Sequence, residues 1–395
     1  MAGPAVEVRA RRGLPLGMPP TRFLRDYWQK CPLLIRGAFP DFVPPLSPDD
    51  LAGLACMDGA LARIVLQESK RNRWTVLTGP FDDASFTNLP ATGWTLLVQD
   101  VDKWDADTAA LLQPFAFIPG WRIDDVMISY AVDGGGVGAH VDQYDVFLLQ
   151  GYGRRRWAID NRADPPTEFR GDVELKLLKK FAPTRAWTLE PGDMLYLPPG
   201  VPHDGVAVGE CTTFSIGMRA PAASELLLDF AIRVAEALPE SRRFADPDLK
   251  PAEDNGEIDA QALRRARDAL GPAAAMLDND AFADWFGCFV TRYRVAQAAV
   301  PRKRAIDRGT LAKRLPHALV ERDPWSRFAW HRRGRAARLY AGGGAFDAPI
   351  AWARTLAGPV RELDGEHLAG LAQQAHGVTL LANLIDAGHF RLRHR

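Results

Sequence analysis

Eight histidines occur in the 395 residues, and only His140 and His203 precede residue 300. His140-Val141-Asp142 alternates as a strand does, which sends the imidazole and the carboxylate to one face and Val141 to the other. One cation can bridge two such groups. His203, arriving from a distant strand, would complete a set of two histidines and one carboxylate. Such a set covers one face of Fe(II) and leaves three coordination positions open. Open positions are what dioxygen chemistry needs. H-x-D alone recurs by chance, and a histidine beside a turn is more commonly just hydrogen-bonded. The weight therefore lies with the surrounding residues.

Gly134-Gly135-Gly136-Val137-Gly138 precedes His140 and suggests a backbone able to approach a ligand closely. Pro191-Gly192-Asp193 opens a short strand Met194–Leu197, and Pro198-Pro199-Gly200-Val201-Pro202 forms a stiff loop ending at His203. The spacing G-x5-P-x-G-x2-H resembles the second signature of the cupin superfamily, whose double-stranded β-helix barrel carries metal ligands inside its mouth. H-x-D in place of the H-x-H of many cupins favours an iron oxygenase.

An anchor for an anionic cosubstrate follows in the chain. Gln143–Gln150, a Gly151-Tyr152-Gly153 turn and Arg154–Ile159 read as a hairpin. On its return strand Arg155 shares a face with Trp157 and Ile159, which places Arg155 inside the barrel and Arg154 and Arg156 at the surface. A buried guanidinium requires an anion. The distal carboxylate of 2-oxoglutarate would satisfy it bidentately, with the 1-carboxylate and 2-oxo group on the metal. A salt bridge to a protein acid is the competing reading.

These groups need a scaffold, and composition describes it. The 47% hydrophobic and 25% charged shares belong to an ordinary folded chain, and 395 residues exceed one compact core. Lys plus Arg and Asp plus Glu both number 49, so the net field recruits neither nucleic acid nor an anionic membrane. Cys31, Cys56, Cys211 and Cys288 form no C-x-x-C pair, which argues against a zinc ribbon or a redox dithiol and fits a reducing compartment. With no 18-residue apolar run and no leader-like start, a cytoplasmic location is expected.

Residues 1–221 carry short β-patterned runs, and Ser47-Pro48-Asp49-Asp50 signals one early helix. Residues 222–300 turn helical, with Leu226, Leu227, Phe230, Val234 and Leu238 in one spacing and further helices expected over Ala260–Leu270 and Asp280–Ala298. Residues 301–395 read as small α+β. From 221 to 300 there are 14 acids and 9 bases, whereas 301–340 holds 12 bases and 3 acids. That basic stretch either touches phosphates or pairs with the acidic one, and nucleic acid is not expected as the primary partner.

Trp121–Tyr130, then G-G-G-V-G-x-H-V-D-Q-Y-D-V-F, then G-x-G-R-R-R-W resemble the JmjC-type ribosomal oxygenases, most closely the bacterial members. The resemblance implies an α+β multidomain chain: a JmjC/cupin barrel over 1–221, a helical dimerisation region over 222–300 and a winged-helix domain over 301–395. It implies hydroxylation, with O2, of an arginine C3 in large-subunit ribosomal protein sixteen, in a homodimer without a membrane. It would have His140, Asp142 and His203 bind Fe(II), Ser129 and Arg155 hold 2-oxoglutarate, and Asp133 and Tyr152 grip the target arginine. On general grounds a strand serine such as Ser129 is more often a structural hydroxyl, and Asp133 beside glycines is equally a turn residue. Two other functions share these motifs: a JmjC-type lysine demethylase, and a non-catalytic cupin regulator with a nucleic-acid-binding winged helix. No Cys/His reader module accompanies the first, and an intact triad with Arg155 counts against the second.

Overall fold

The computed structural model describes residues 6–68, 72–249, 258–271 and 280–394. The chain forms two compact units, 1–220 and 221–395. The strands of the first are β1 Glu7–Arg9, β2 Leu33–Arg36, β3 Ala62–Glu68, β4 Arg73–Thr78, β5 Trp94–Val98, β6 Ile123–Ala131, β7 His140–Val141, β8 Val146–Ile159, β9 Arg185–Leu189, β10 Met194–Leu197 and β11 Pro202–Met218. They join in one mixed sheet ordered β1-β2-β10-β8-β11-β6-β5-β3-β4, with β7 added to β11 and β9 to β8.

Leu33-Leu34-Ile35, Val146–Leu149 and Met194–Leu197 are continuous apolar runs because both faces of this sheet are covered. Ile35, Phe147, Leu149, Met194 and Tyr196 pack in a core with Phe23, Tyr27 and Phe115. Leu34, Val146, Leu148, Leu195 and Leu197 pack on the opposite face with Trp157, Ile159 and Leu189. The helix Pro48–Ala55 begins as its sequence predicts, with a reciprocal capping box between Ser47 and Asp50.

The expected hairpin at Gly151-Tyr152-Gly153 does not form. β8 runs straight through it for 14 residues, antiparallel to β11 along its length. The glycines make an irregularity in the ladder instead: Val208 faces Arg154, Thr212 faces Tyr152 and Thr213 faces Gln150. Gly153 adopts φ +60°, and a Cβ there would lie 1.9 Å from the Glu210 carbonyl oxygen, so no other residue fits. The extra residue in β8 switches the alternation, and Leu148 therefore shares a face with Trp157 despite an odd separation.

In the second unit the helix Ala223–Ala237 meets the helix Asp280–Arg292 through Phe230 and Trp285, whose rings are 4.9 Å apart. The latter helix stops at Arg292 rather than Ala298, because Arg294 adopts φ +50°, outside helical geometry. It lies on the hairpin sheet β13 Phe328–Arg333, β14 Ala336–Ala341 and β15 Gly344–Ala348, where Gly287 admits the Tyr340 ring. A second sheet unites β12 Ala318–Arg322, β16 Glu362–Asp364 and β17 Phe390–His394 around a core holding Leu311, Trp352 and Leu381. Acids of the 221–300 stretch do take up part of the basic one. Asp284 accepts Arg333 at 3.1 Å and Arg338 at 3.2 Å. Among the described residues no helix is long and apolar enough to cross a membrane.

Candidate metal and cosubstrate site

β7 brings His140 directly opposite His203 at the start of β11, with their rings 4.2 Å apart. Asp142 follows β7 immediately, and its carbonyl accepts the Gly200 N–H at 2.8 Å, tying the two ligand-bearing loops together. One ligand atom from each of His140, Asp142 and His203 lies within 4.8 Å of the others, the one such cluster of metal-binding side chains among the described residues. Asp142 Oδ2 sits 4.0 Å from His140 Nε2 and 3.7 Å from His203 Nε2.

Each imidazole is pinned by a carbonyl two residues upstream: His140 Nδ1 lies 2.8 Å from Gly138 O, and His203 Nδ1 lies 2.9 Å from Val201 O. An Nδ1–H donated to a carbonyl leaves Nε2 as the lone-pair nitrogen, turned toward Asp142. Burial, reinforced by His140, pushes His203 down to about 4, so it is neutral and ligand-ready at physiological pH. The site is closed on one side: His203 is 3% exposed, His140 and Asp142 are each 23% exposed, and a ligand enters from their side.

The glycine run serves the scaffold more than the ligand. Cβ atoms at Gly135 and Gly136 would lie 2.2 Å from Trp94 O and 2.5 Å from Gly205 O, so this loop needs glycine to lie flat on its neighbouring backbone.

Arg155 is buried at 5% exposure, as its alternation with Trp157 requires. Its Nη1 donates to Ser129 Oγ at 3.4 Å from two strands away, and its guanidinium carbon lies 5.7 Å from the Trp157 ring centre. Nε and Nη2 are buried without a hydrogen-bond partner. Buried guanidinium nitrogens are costly when unmatched, and among the described residues no acid forms an ion pair with Arg155, although the charge of Arg155 acts on the nearby, mostly buried Asp204. The Trp157 ring also stands 5.9 Å from that of His203, so one side chain borders both parts of the site.

Asp133 and Tyr152 bracket the irregular stretch of β11 from opposite sides. Asp133 is exposed, and its Oδ1 accepts the Gly209 N–H at 2.8 Å, the turn role open to it from sequence. Tyr152 is 52% exposed opposite Thr212. Two neighbours escaped sequence reasoning. Desolvation, with the Asp142 charge beside it, raises the pKa of the Tyr144 phenol, although the residue is 40% exposed. Its position two residues beyond Asp142 was the available signal. Tyr130, raised to about 12 by burial and the nearby Glu210 charge, carries no ligand-like spacing of its own.

Residues 110–226 match the JmjC domain family and 274–391 the ROXA-like winged helix, with a further match of 183–304 to the AraC-like ligand binding domain. The ribosomal protein uL16 3-hydroxylase of Escherichia coli (strain K12) is 39% identical over 272 residues, 69% of this chain and 71% of that protein. This chain belongs to the ribosomal oxygenase family. A probable ribosomal oxygenase of Haemophilus influenzae is 39% identical over 241 residues, 61% of this chain and 57% of that protein. The X-ray structure of E. coli YcfD superposes with a TM-score of 0.82 at 33% identity, covering 95% of this chain and 98% of that one. The ribosomal oxygenase YcfD in complex with cobalt and 2-oxoglutarate gives 0.79 at 32% identity and the same coverage. The winged-helix match takes in the helix Asp280–Arg292, which sequence spacing grouped with the helical stretch before it.

Proposed function

We propose that this ribosomal oxygenase is an Fe(II)- and 2-oxoglutarate-dependent hydroxylase acting at C3 of an arginine in a large-subunit ribosomal protein, the counterpart of uL16. One observation carries the reading: an open-sided His-Asp-His cluster stands in the same barrel as a buried arginine with two unmatched nitrogens. In this reading His140, Asp142 and His203 hold the iron, and Arg155 with Ser129 holds the far carboxylate of the cosubstrate. Iron with 2-oxoglutarate and O2 supplies the conversion of C–H to C–OH. The chain's own residues bind and orient. His203 presents a neutral nitrogen, His140 is held by its bond to the Gly138 carbonyl, and Trp157 screens Arg155 from water. Asp133 would pair with the target guanidinium and Tyr152 would stack on its stem, holding one C–H toward the metal.

Incubating the enzyme with Fe(II), 2-oxoglutarate and isolated large-subunit ribosomal proteins should add one oxygen atom to an arginine, read by tandem mass spectrometry. Consumption of 2-oxoglutarate with no oxygen gained by any ribosomal protein would leave a hydroxylase but remove this substrate.

The three-part division 1–221, 222–300 and 301–395, a cytoplasmic location and a homodimer belong to the same proposal. Leu227, Leu228 and Ile232 of the helix Ala223–Ala237 are 68%, 65% and 51% exposed, and the helix Ala260–Ala269 buries no residue. Apolar helix faces of this kind favour a second copy. Sedimentation velocity should show a dimer that L227R/L228R converts to monomer; a monomeric wild type would refute it. Nucleic acid as a primary partner of the 301–340 stretch finds little support. Arg322 is spent on the Leu356 and Gly358 carbonyls, Arg327 on that of Tyr293, and Arg333 and Arg338 on Asp284.

A further inference from the structure

Away from the metal site, the first unit carries a cleft of about 460 Å³ lined by Arg9, Arg11, Gly17, Met18, Arg22 and Tyr27, among others. Residues 6–36 hold seven bases (Arg9, Arg11, Arg12, Arg22, Arg25, Lys30, Arg36) and two acids (Glu7, Asp26). Both acids are already engaged. Glu7 accepts Arg36 at 2.9 Å, while Asp26 accepts Arg25 through two bonds and lies 3.5 Å from Arg22. Among the described residues Arg9, Arg11 and Arg12 meet no acid, although they stand on a fixed platform. β1 pairs in parallel with β2, Ala10 N donates to Arg36 O, and Arg11 and Leu14 exchange hydrogen bonds across a tight turn. The floor depends on Gly17, at φ +69°, since a Cβ there would lie 2.9 Å from both Arg9 O and Val8 Cγ2.

We propose that this cleft binds phosphate groups, with Arg9, Arg11 and Arg22 as contacts and single-stranded RNA as their source. Guanidinium forks match phosphate oxygens bidentately. The volume suits a nucleotide rather than a lone ion. Arg12, just beyond it, continues the basic row past one phosphate, as a strand would require. A basic ribosomal-protein substrate would be repelled here, so the cleft is separate from target recognition at the metal site.

The test is fluorescence anisotropy of the full chain with a short labelled single-stranded RNA across a salt series. Three phosphate contacts predict a slope of log affinity against log salt of about −2. R9A/R11A should lower low-salt affinity by roughly tenfold and bring the slope to about −0.7. R11E alone should weaken binding similarly, and an unchanged thermal midpoint would show that both variants fold. Unaltered affinity and slope in both variants would overturn the site. Competition by ATP as effective as by unlabelled RNA would overturn RNA as the source, and equal competition by polyglutamate would overturn phosphate as the ligand class.

Discussion

Replacing His203 with alanine should eliminate metal binding and turnover together. His203 is the most enclosed of the three ligands, and its Nε2 is aimed by the bond from Nδ1 to Val201. Disturbing an outer-shell partner of a metal ligand typically lowers affinity 10–100-fold, so loss of the ligand itself should lower Mn(II) or Co(II) affinity by at least ~100-fold in calorimetry. Asp142→Asn, which keeps the side chain's shape, should behave likewise. Metal binding within a few-fold of wild type in both variants would dismantle the assigned cluster. The pH dependence has a defined sign. Folding depresses His203 from about 6.5 to about 4, so the folded state resists its protonation. His203's contribution to the metal-free protein's stability is therefore complete above about 6.5 and is lost as pH falls toward 4.

Arg155→Met should separate cosubstrate binding from metal binding. Removing one partner of a buried charged pair costs about 2–5 kcal/mol, which corresponds to a 2-oxoglutarate affinity lowered ~30-fold or more while Mn(II) affinity stays put. Arg155→Lys should restore part of the loss, since an ammonium keeps the charge but not the fork. The same substitution should not destabilise the cosubstrate-free protein. Nε and Nη2 lack partners there, and exchanging an unmatched buried charge for an apolar side chain of similar length is often neutral or stabilising. A large drop in thermal midpoint without cosubstrate would show that Arg155 is structural and that the proposed anchor is mistaken.

Residue type and alternation over short distances made the site legible. H-x-D places two groups on one side of β7, and Arg155-x-Trp157-x-Ile159 identifies a buried guanidinium, because period-two patterning needs only local backbone geometry. The pairing of His140 with His203 depends on a ladder between residues 63 positions apart, which the spacing of turn residues suggested but could not specify. The Gly-Tyr-Gly segment was misread for a related reason. Glycines flanked by apolar runs mark a hairpin or a bulge equally well, and only the partner strand β11, with Gly209 at φ +72°, decides between them. The early end of the helix at Arg292 escaped notice because Arg294 carries no breaker residue, and its left-handed backbone is imposed by tertiary context.

The irregular glycines of β8 divide that strand into two separately adjustable segments. Tyr152 belongs to the loosened part and Arg155 to the part held in regular register with β9 and β11. Substitutions that reshape the outer rim to accept a different client can accumulate at the exposed positions 152 and 210 without re-aiming the anchor at 155. The catalytic machinery is thereby insulated from evolutionary or engineered changes in what the enzyme recognises.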